Sequence, residues 1–161
     1  MASEQSQSSA DTITAFMEGE HTRIRGLWEE ALSALDSEQF NALHGKAGDF
    51  IAALERHIRA EEQILFPSIE ERSGDTEPTR AMKLEHRLMA RMLERLKPLL
   101  TVQERWTGML AVEGQEIDPS SLLRSHESKE HDVLYPLADK VLGTEEARKV
   151  IAKMRTEVDK S

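Results

Sequence analysis

The chain has 161 residues, a formal net charge of −9, 32% charged residues and only 4% aromatic ones. At that length a single domain can bury its own core. The composition suits amphipathic helices better than strands, and the negative balance without a Lys/Arg cluster argues against nucleic acid as a partner. With no cysteine, disulfides, thiolate catalysis, zinc ribbons and cysteine-ligated iron-sulfur clusters are all excluded, so any metal must be held by nitrogen and oxygen. No apolar run approaches the roughly 20 residues that span a bilayer, and none near the amino terminus has the character of a signal peptide, so no membrane association and a cytoplasmic location are expected.

In chain order, residues 1–8 have nothing to bury and read as a mobile tail, with residues 9–161 forming one helical domain. Ser9 or Asp11 can cap a first helix whose inward seam is Thr14, Met17, His21, Ile24, Trp28, Ala31 and Leu35. Asp36 with Gln39 resembles a capping box that starts a second helix, with seam Phe40, Leu43, Ala47, Phe50, Leu54, His57, Glu61 and Ile64. Pro67 removes a donor and is expected to kink or end that helix before the Ser73-Gly74-Asp75 turn. A third helix starts around Thr76 to Pro78 and carries Met82, His86, Met89, Leu93, Leu96 and Leu100 inward. Pro98 and the stretch from Gly108 to Gln115 leave its end open. Asp118-Pro119 is a cap and first-position pair for a fourth helix, with seam Leu123, His126, Glu130, Val133 and Leu137. Gly143 ends it, and Thr144 caps a last amphipathic helix over about residues 144–159. That helix has no ligand-type residue on its apolar face and is read as packing.

The chain repeats itself. His57-Ile-Arg-Ala-Glu-Glu-Gln-Ile-Leu-Phe-Pro67 returns as His126-Glu-Ser-Lys-Glu-His-Asp-Val-Leu-Tyr-Pro136, and Met17-Glu-Gly-Glu-His21 returns as Met82-Lys-Leu-Glu-His86. Each copy has one lone His on its first helix and one His-x-x-x-Glu on its second. A helical hairpin written twice predicts an all-α, antiparallel up-down-up-down four-helix bundle with an extra C-terminal helix.

The seams deliver His21, His57, Glu61, His86, His126 and Glu130 to one core. An unpaired buried carboxylate costs several kcal/mol and each unsatisfied imidazole nitrogen roughly 1 to 3 more, against a total domain stability on the order of 5 to 15 kcal/mol. A bound cation resolves the conflict. A His and a Glu four apart project from one helix face, and two carboxylates from facing helices can bridge two ions, leaving two histidines for each and open positions for water, oxide or a diatomic ligand. Such a donor set suits iron, manganese or zinc; a carboxylate-bridged pair in a helical bundle favours iron. A lone His on an apolar face is more often a core residue than a ligand, but here the repeat sets all four in matching places beside Glu61 and Glu130. Ile24, Trp28, Met89 and Leu93 are core positions that can also wall the pocket. His44 is expected at the helix boundary or in solvent, and His131, in the place Glu62 holds in the first copy, outside the ligand set. Glu20 and Glu85, each preceding a seam His, are read as surface charges.

On these residues the chain resembles the hemerythrin-like, or HHE cation-binding, family. The match is carried by His21, His57-x-x-x-Glu61-Glu62 with Leu65-Phe66-Pro67, Glu85-His86, and His126-x-x-x-Glu130 with Leu134-Tyr135-Pro136, over roughly residues 11 to 142. The resemblance implies a non-haem di-iron centre, oxo- or hydroxo-bridged, with Glu61 and Glu130 bridging the irons. The oxygen-carrying hemerythrins have a fifth histidine one turn from the third-helix His, where this chain has Met82 and Ala90, and an Asp at a different spacing from Glu130. The set is closer to the di-iron domain of the iron-sulfur cluster repair proteins, although their cysteine-containing amino-terminal domain has no counterpart here. The implied activity is binding of dioxygen, nitric oxide or peroxide at an open iron position in stress response or sensing, with peroxide or nitric oxide turnover as an enzymatic form and an electron-donor or other protein as partner. Iron storage, sensing or donation for cluster repair is the alternative, and a metal-free helical interaction module a further one. The oligomeric state is left open.

Overall fold

The computed structural model describes residues 11–99, 110–112 and 114–160. Its helices are α1 (Ile13–Asp36), α2 (Phe40–Ala60), α3 (Phe66–Ser73), α4 (Glu77–Leu99), α5 (Pro119–Lys129) and α6 (Tyr135–Val158). Two five-residue π-helical turns, Glu61–Leu65 and Glu130–Leu134, join α2 to α3 and α5 to α6 without interruption. The chain is therefore mostly helical, with four long helical segments and a C-terminal one beyond a break inside α6, where Gly143 takes φ 69° and ψ 174°.

The helical architecture fits the all-α expectation, with one short addition. Leu110–Val112 (β1) and Gln115–Ile117 (β2) form a short antiparallel pair in the stretch left open by the sequence, with Leu110 opposite Ile117 and Val112 opposite Gln115. The strand alternates as a half-buried strand should: Leu110 and Val112 are buried and Ala111 is exposed. Gly114, at φ 80°, makes the turn. Leu100 and most of the preceding connection lie outside the described residues.

Capping also differs from expectation. Thr12 is the N-cap of α1, accepting from the Ala15 N–H at 3.1 Å. Asp139 of α6 accepts the Ile13 N–H at 2.6 Å, the Thr14 N–H at 3.2 Å and the Thr14 hydroxyl at 2.6 Å. Asp11 instead pairs with Arg148 at 2.8 Å, while Ser9 lies outside the described residues. The Asp36-Gln39 capping box does not form: Asp36 ends α1, Glu38 takes a left-handed φ of 57°, and Gln39 precedes α2 with no side-chain cap. The turn into α2 is closed by backbone bonds, such as Gln39 N–H to Ala34 O at 2.9 Å. Asp118 does cap α5, accepting from the Ser120 N–H at 3.0 Å.

Neither Pro67 nor Pro136 ends a helix. Proline lacks a donor, and its ring clashes with the carbonyl four residues back. The chain widens by one residue just before each: Phe66 N–H reaches Glu61 O, and Tyr135 N–H reaches Glu130 O. The extra residue rotates everything that follows. Val133, expected in the seam, is therefore 61% exposed, and Leu134, Tyr135 and Ala138 are buried instead. In the first copy Ile64 is likewise only half-buried, while Leu65, Phe66 and Ile69 fill the core.

Two apolar clusters result. One holds Ile24, Trp28, Phe50, Leu54, Met89, Leu93, Leu110 and Leu123; the other holds Ile13, Met17, Ala60, Leu65, Phe66, Met82, Leu134, Tyr135 and residues of α6. His21 on α1, His57 on α2, His86 on α4 and His126 on α5 each sit where one cluster gives way to the other. The C-terminal half of α6 packs through Val150, Ile151, Met154 and Val158. Its buried face does carry one ligand-type residue, Glu157, which is neutralised by Arg59 at 3.0 Å.

Candidate metal centre

The layer between the clusters is built from all six seam groups. His21, His57, His86 and His126 are each 2–3% exposed, and Glu61 and Glu130 are wholly buried. Both π turns begin at these two glutamates; the Glu61 and Glu130 N–H groups still reach the carbonyls of His57 and His126, so each His and Glu pair shares an ordinary α turn and the widening falls after it.

The groups fall into two overlapping sets, Glu61, His86, His126 and Glu130 in one and His21, His57 and Glu130 in the other, each with its donor atoms within 4.8 Å of one another. In the first, His126 Nε2 lies 2.8 Å from Glu130 Oε1, and His86 Nε2 lies 3.1 Å from Glu61 Oε2 and 3.9 Å from Glu130 Oε1. None of these four buried atoms has a partner aligned for a hydrogen bond. Such an orphaned set costs on the order of 1 to 3 kcal/mol per group unless something else satisfies it. Two imidazole nitrogens and two carboxylate oxygens converging on one point is what a divalent cation requires. In the second set, His21 Nε2 lies 3.1 Å from Glu130 Oε2 and 3.2 Å from His57 Nε2, and His57 Nε2 lies 3.5 Å from Glu61 Oε2.

Tyr135 is the group that sequence reading missed. Its buried hydroxyl lies 2.7 Å from Glu61 Oε1, 2.8 Å from Glu130 Oε2 and 3.1 Å from His21 Nε2. Burial, with the charges of Glu130 and Glu61, holds the phenol well above its ordinary pKa, so it keeps its proton and donates to one carboxylate at a time. The signal was present: Tyr135 occupies the repeat position filled by Phe66, and a hydroxyl added to a buried seam needs a partner.

Around the centre, outer groups orient the imidazoles. His126 Nδ1 donates to Glu85 Oε2 at 2.8 Å, and His86 Nδ1 to Glu62 Oε1 at 3.0 Å. A carboxylate only accepts, so each bond puts the proton of a neutral ring on Nδ1 and turns the Nε2 lone pair inward. Glu85 is thus not the free surface charge expected; it bridges His126 and Lys129. Glu20 is at the buried margin and is held by Arg23 at 2.9 Å. His131 Nε2 faces His21 Nδ1 at 3.1 Å from a half-buried position, and His44 is exposed. His57 Nδ1 has no hydrogen-bond partner among the described residues.

The electrostatics follow from this packing. Burial drives the His57 imidazole down to about 4 despite Glu61. Burial pushes His126 down as well, but Glu130 beside it, helped by Glu61 and Glu85, raises it to about 9. Glu130 is held well below the carboxylate range, since His126 and His21 outweigh its desolvation.

Among the described residues no helix is long and apolar enough to cross a membrane. No curated protein and no solved structure matches the chain. Residues 12–117 match the family described as Hemerythrin HHE cation binding domain. The matched stretch contains His21, His57, Glu61 and His86 and ends before His126 and Glu130. With most of its length inside that match and a buried His/Glu cluster fit for a metal cation, the chain belongs to the hemerythrin HHE cation-binding domain family.

Proposed function

We propose that the chain holds two non-haem iron ions and binds dioxygen, nitric oxide or peroxide at an open iron position, in oxidative or nitrosative stress response or sensing. His86 and His126 would serve one ion and His21 and His57 the other, with Glu61 and Glu130 shared, within an up-down-up-down pairing of the two repeats. What carries the reading is the convergence of four buried, unpartnered atoms from Glu61, His86, His126 and Glu130. Nitrogen and oxygen donors without thiolate suit iron, and bound iron would supply the redox and ligand-binding chemistry.

The rest falls to the chain's own side chains. Ile24, Leu54, Met89 and Leu93 on one side and Met17, Leu65, Phe66 and Leu134 on the other wall the layer from water. The Tyr135 hydroxyl oxygen lies 2.7 Å from Glu61 Oε1, where its proton can steady that carboxylate or hydrogen-bond a small polar ligand in the layer. Glu62 and Glu85 keep His86 and His126 in the tautomer that presents Nε2 inward.

The deciding experiment is metal content per chain after iron-replete expression, with visible spectra before and after dithionite and nitric oxide. About two irons and a spectrum responsive to those reagents are expected. Glu61→Ala should lose most of the iron and melt lower; full iron content in that variant would overturn the assignment.

A further inference from the structure

The repeat predicts two equivalent halves, and the outer groups break that equivalence. In the second copy, Glu85 precedes His86 and orients His126; in the first, Glu20 precedes His21 and should orient His57. Glu20 instead turns to Arg23, with bonds of 2.9 and 3.2 Å, and His57 Nδ1 is left without a partner. Similarly, Glu62 orients His86, but its repeat counterpart orienting His21 is His131, a neutral or cationic ring rather than a carboxylate.

The inner atoms differ in the same sense. Glu61 Oε2, His86 Nε2, His126 Nε2 and Glu130 Oε1 make no aligned hydrogen bond and touch only one another, His126 Nε2 with Glu130 Oε1 at 2.8 Å and His86 Nε2 with Glu61 Oε2 at 3.1 Å. The atoms of the other position are engaged: His21 Nε2 with His57 Nε2 at 3.2 Å and with the Tyr135 hydroxyl at 3.1 Å, and Glu130 Oε2 with the same hydroxyl at 2.8 Å. An ion entering there must break these contacts and order an untethered imidazole. An ion entering the first position meets four converging donors, both of its imidazoles already fixed by carboxylates.

The geometry points to ordered loading: the position of Glu61, His86, His126 and Glu130 takes a divalent cation first and holds it more tightly, and that of His21, His57 and Glu130 fills second and exchanges more readily, with Tyr135 competing for it. This rests on the two-metal reading above. It makes the chain able to exist with one retained and one exchangeable ion, and places the exchangeable ion beside Tyr135 and His131.

The test is calorimetric and visible-spectral titration of the full chain, stripped by chelator, with Co(II) alone. Two steps separated by about tenfold or more in affinity are expected. His57→Ala should remove the weaker step and leave the tighter one within about threefold. Glu85→Gln should weaken the tighter step by about 10- to 100-fold, the usual effect of losing a ligand-orienting group. Tyr135→Phe should strengthen the weaker step and narrow the gap. Circular dichroism of each variant separates misfolding from lost ligation. Uptake of two ions in one unresolved step, or loss of the tighter step in a folded His57→Ala, would overturn the loading order and leave the two-metal reading standing. Uptake of only one ion, or none, by the unmodified chain would overturn the two-metal reading itself.

Discussion

At the level of single residues, the centre depends on which nitrogen of each imidazole carries the proton. Glu62 decides this for His86 and Glu85 for His126, through bonds of 3.0 and 2.8 Å. Charge balance matters as well, and the acid response of Glu70 offers a check outside the centre. Its carboxyl is held below the ordinary range by bonds from Lys83, at 2.7 Å, and Thr79. A carboxyl depressed in the fold stabilises it above the unfolded pKa, and the contribution disappears as pH falls through the folded value. Glu70→Gln should therefore cost about 0.5 to 1 kcal/mol at pH 7 and almost nothing near pH 3, as read from urea denaturation at the two pH values. Equal loss at both would show that packing, not charge, is what the side chain provides.

At the level of elements, the two π turns decide which side chains enter the core. Each precedes a proline and begins at a wholly buried glutamate. Because the wider turn brings Leu134 inward and leaves Val133 out, Val133→Lys should change stability by less than about 0.5 kcal/mol. Leu134→Lys should cost at least about 3 kcal/mol or prevent folding, by burying a charge in the second cluster. The opposite ranking in thermal melts would mean that the helix runs through Pro136 with ordinary α periodicity. The start of α1 offers another test at this scale. Asp139 closes two backbone donors and a hydroxyl there, so Asp139→Ala should cost roughly 1 to 2 kcal/mol, larger than Asp11→Ala, whose only described partner is the exposed Arg148.

At the level of the whole molecule, a polar layer divides the interior into two apolar clusters. Ligand binding to the folded state alone adds stability by mass action, so chelator treatment should lower the melting temperature and added Fe(II) should restore it. Acid should release the metal, because protons compete for the imidazole nitrogens. Loss of ions measured on desalting at successively lower pH checks this.

How far the sequence alone reached is clearest in the repeat. The three- and four-residue seams, the duplicated His-x-x-x-Glu and the matching lone histidines were enough to bring His21, His57, Glu61, His86, His126 and Glu130 into one layer, because residues one turn apart on a helix share a face whatever surrounds them. The tertiary structure decided what local periodicity cannot encode. A π turn adds one residue to the pitch, so Leu134 and Tyr135 replace Val133 inside, and a phenol enters the centre. Whether a flanking charge orients a buried histidine depends on what else is in reach: Glu85 meets His126 across the bundle, whereas Glu20, in the same repeat position, meets Arg23 on its own helix. The short strand pair likewise depends on tertiary packing, because Leu110 and Val112 are buried in the first apolar cluster, a surface that exists only once the helices have packed.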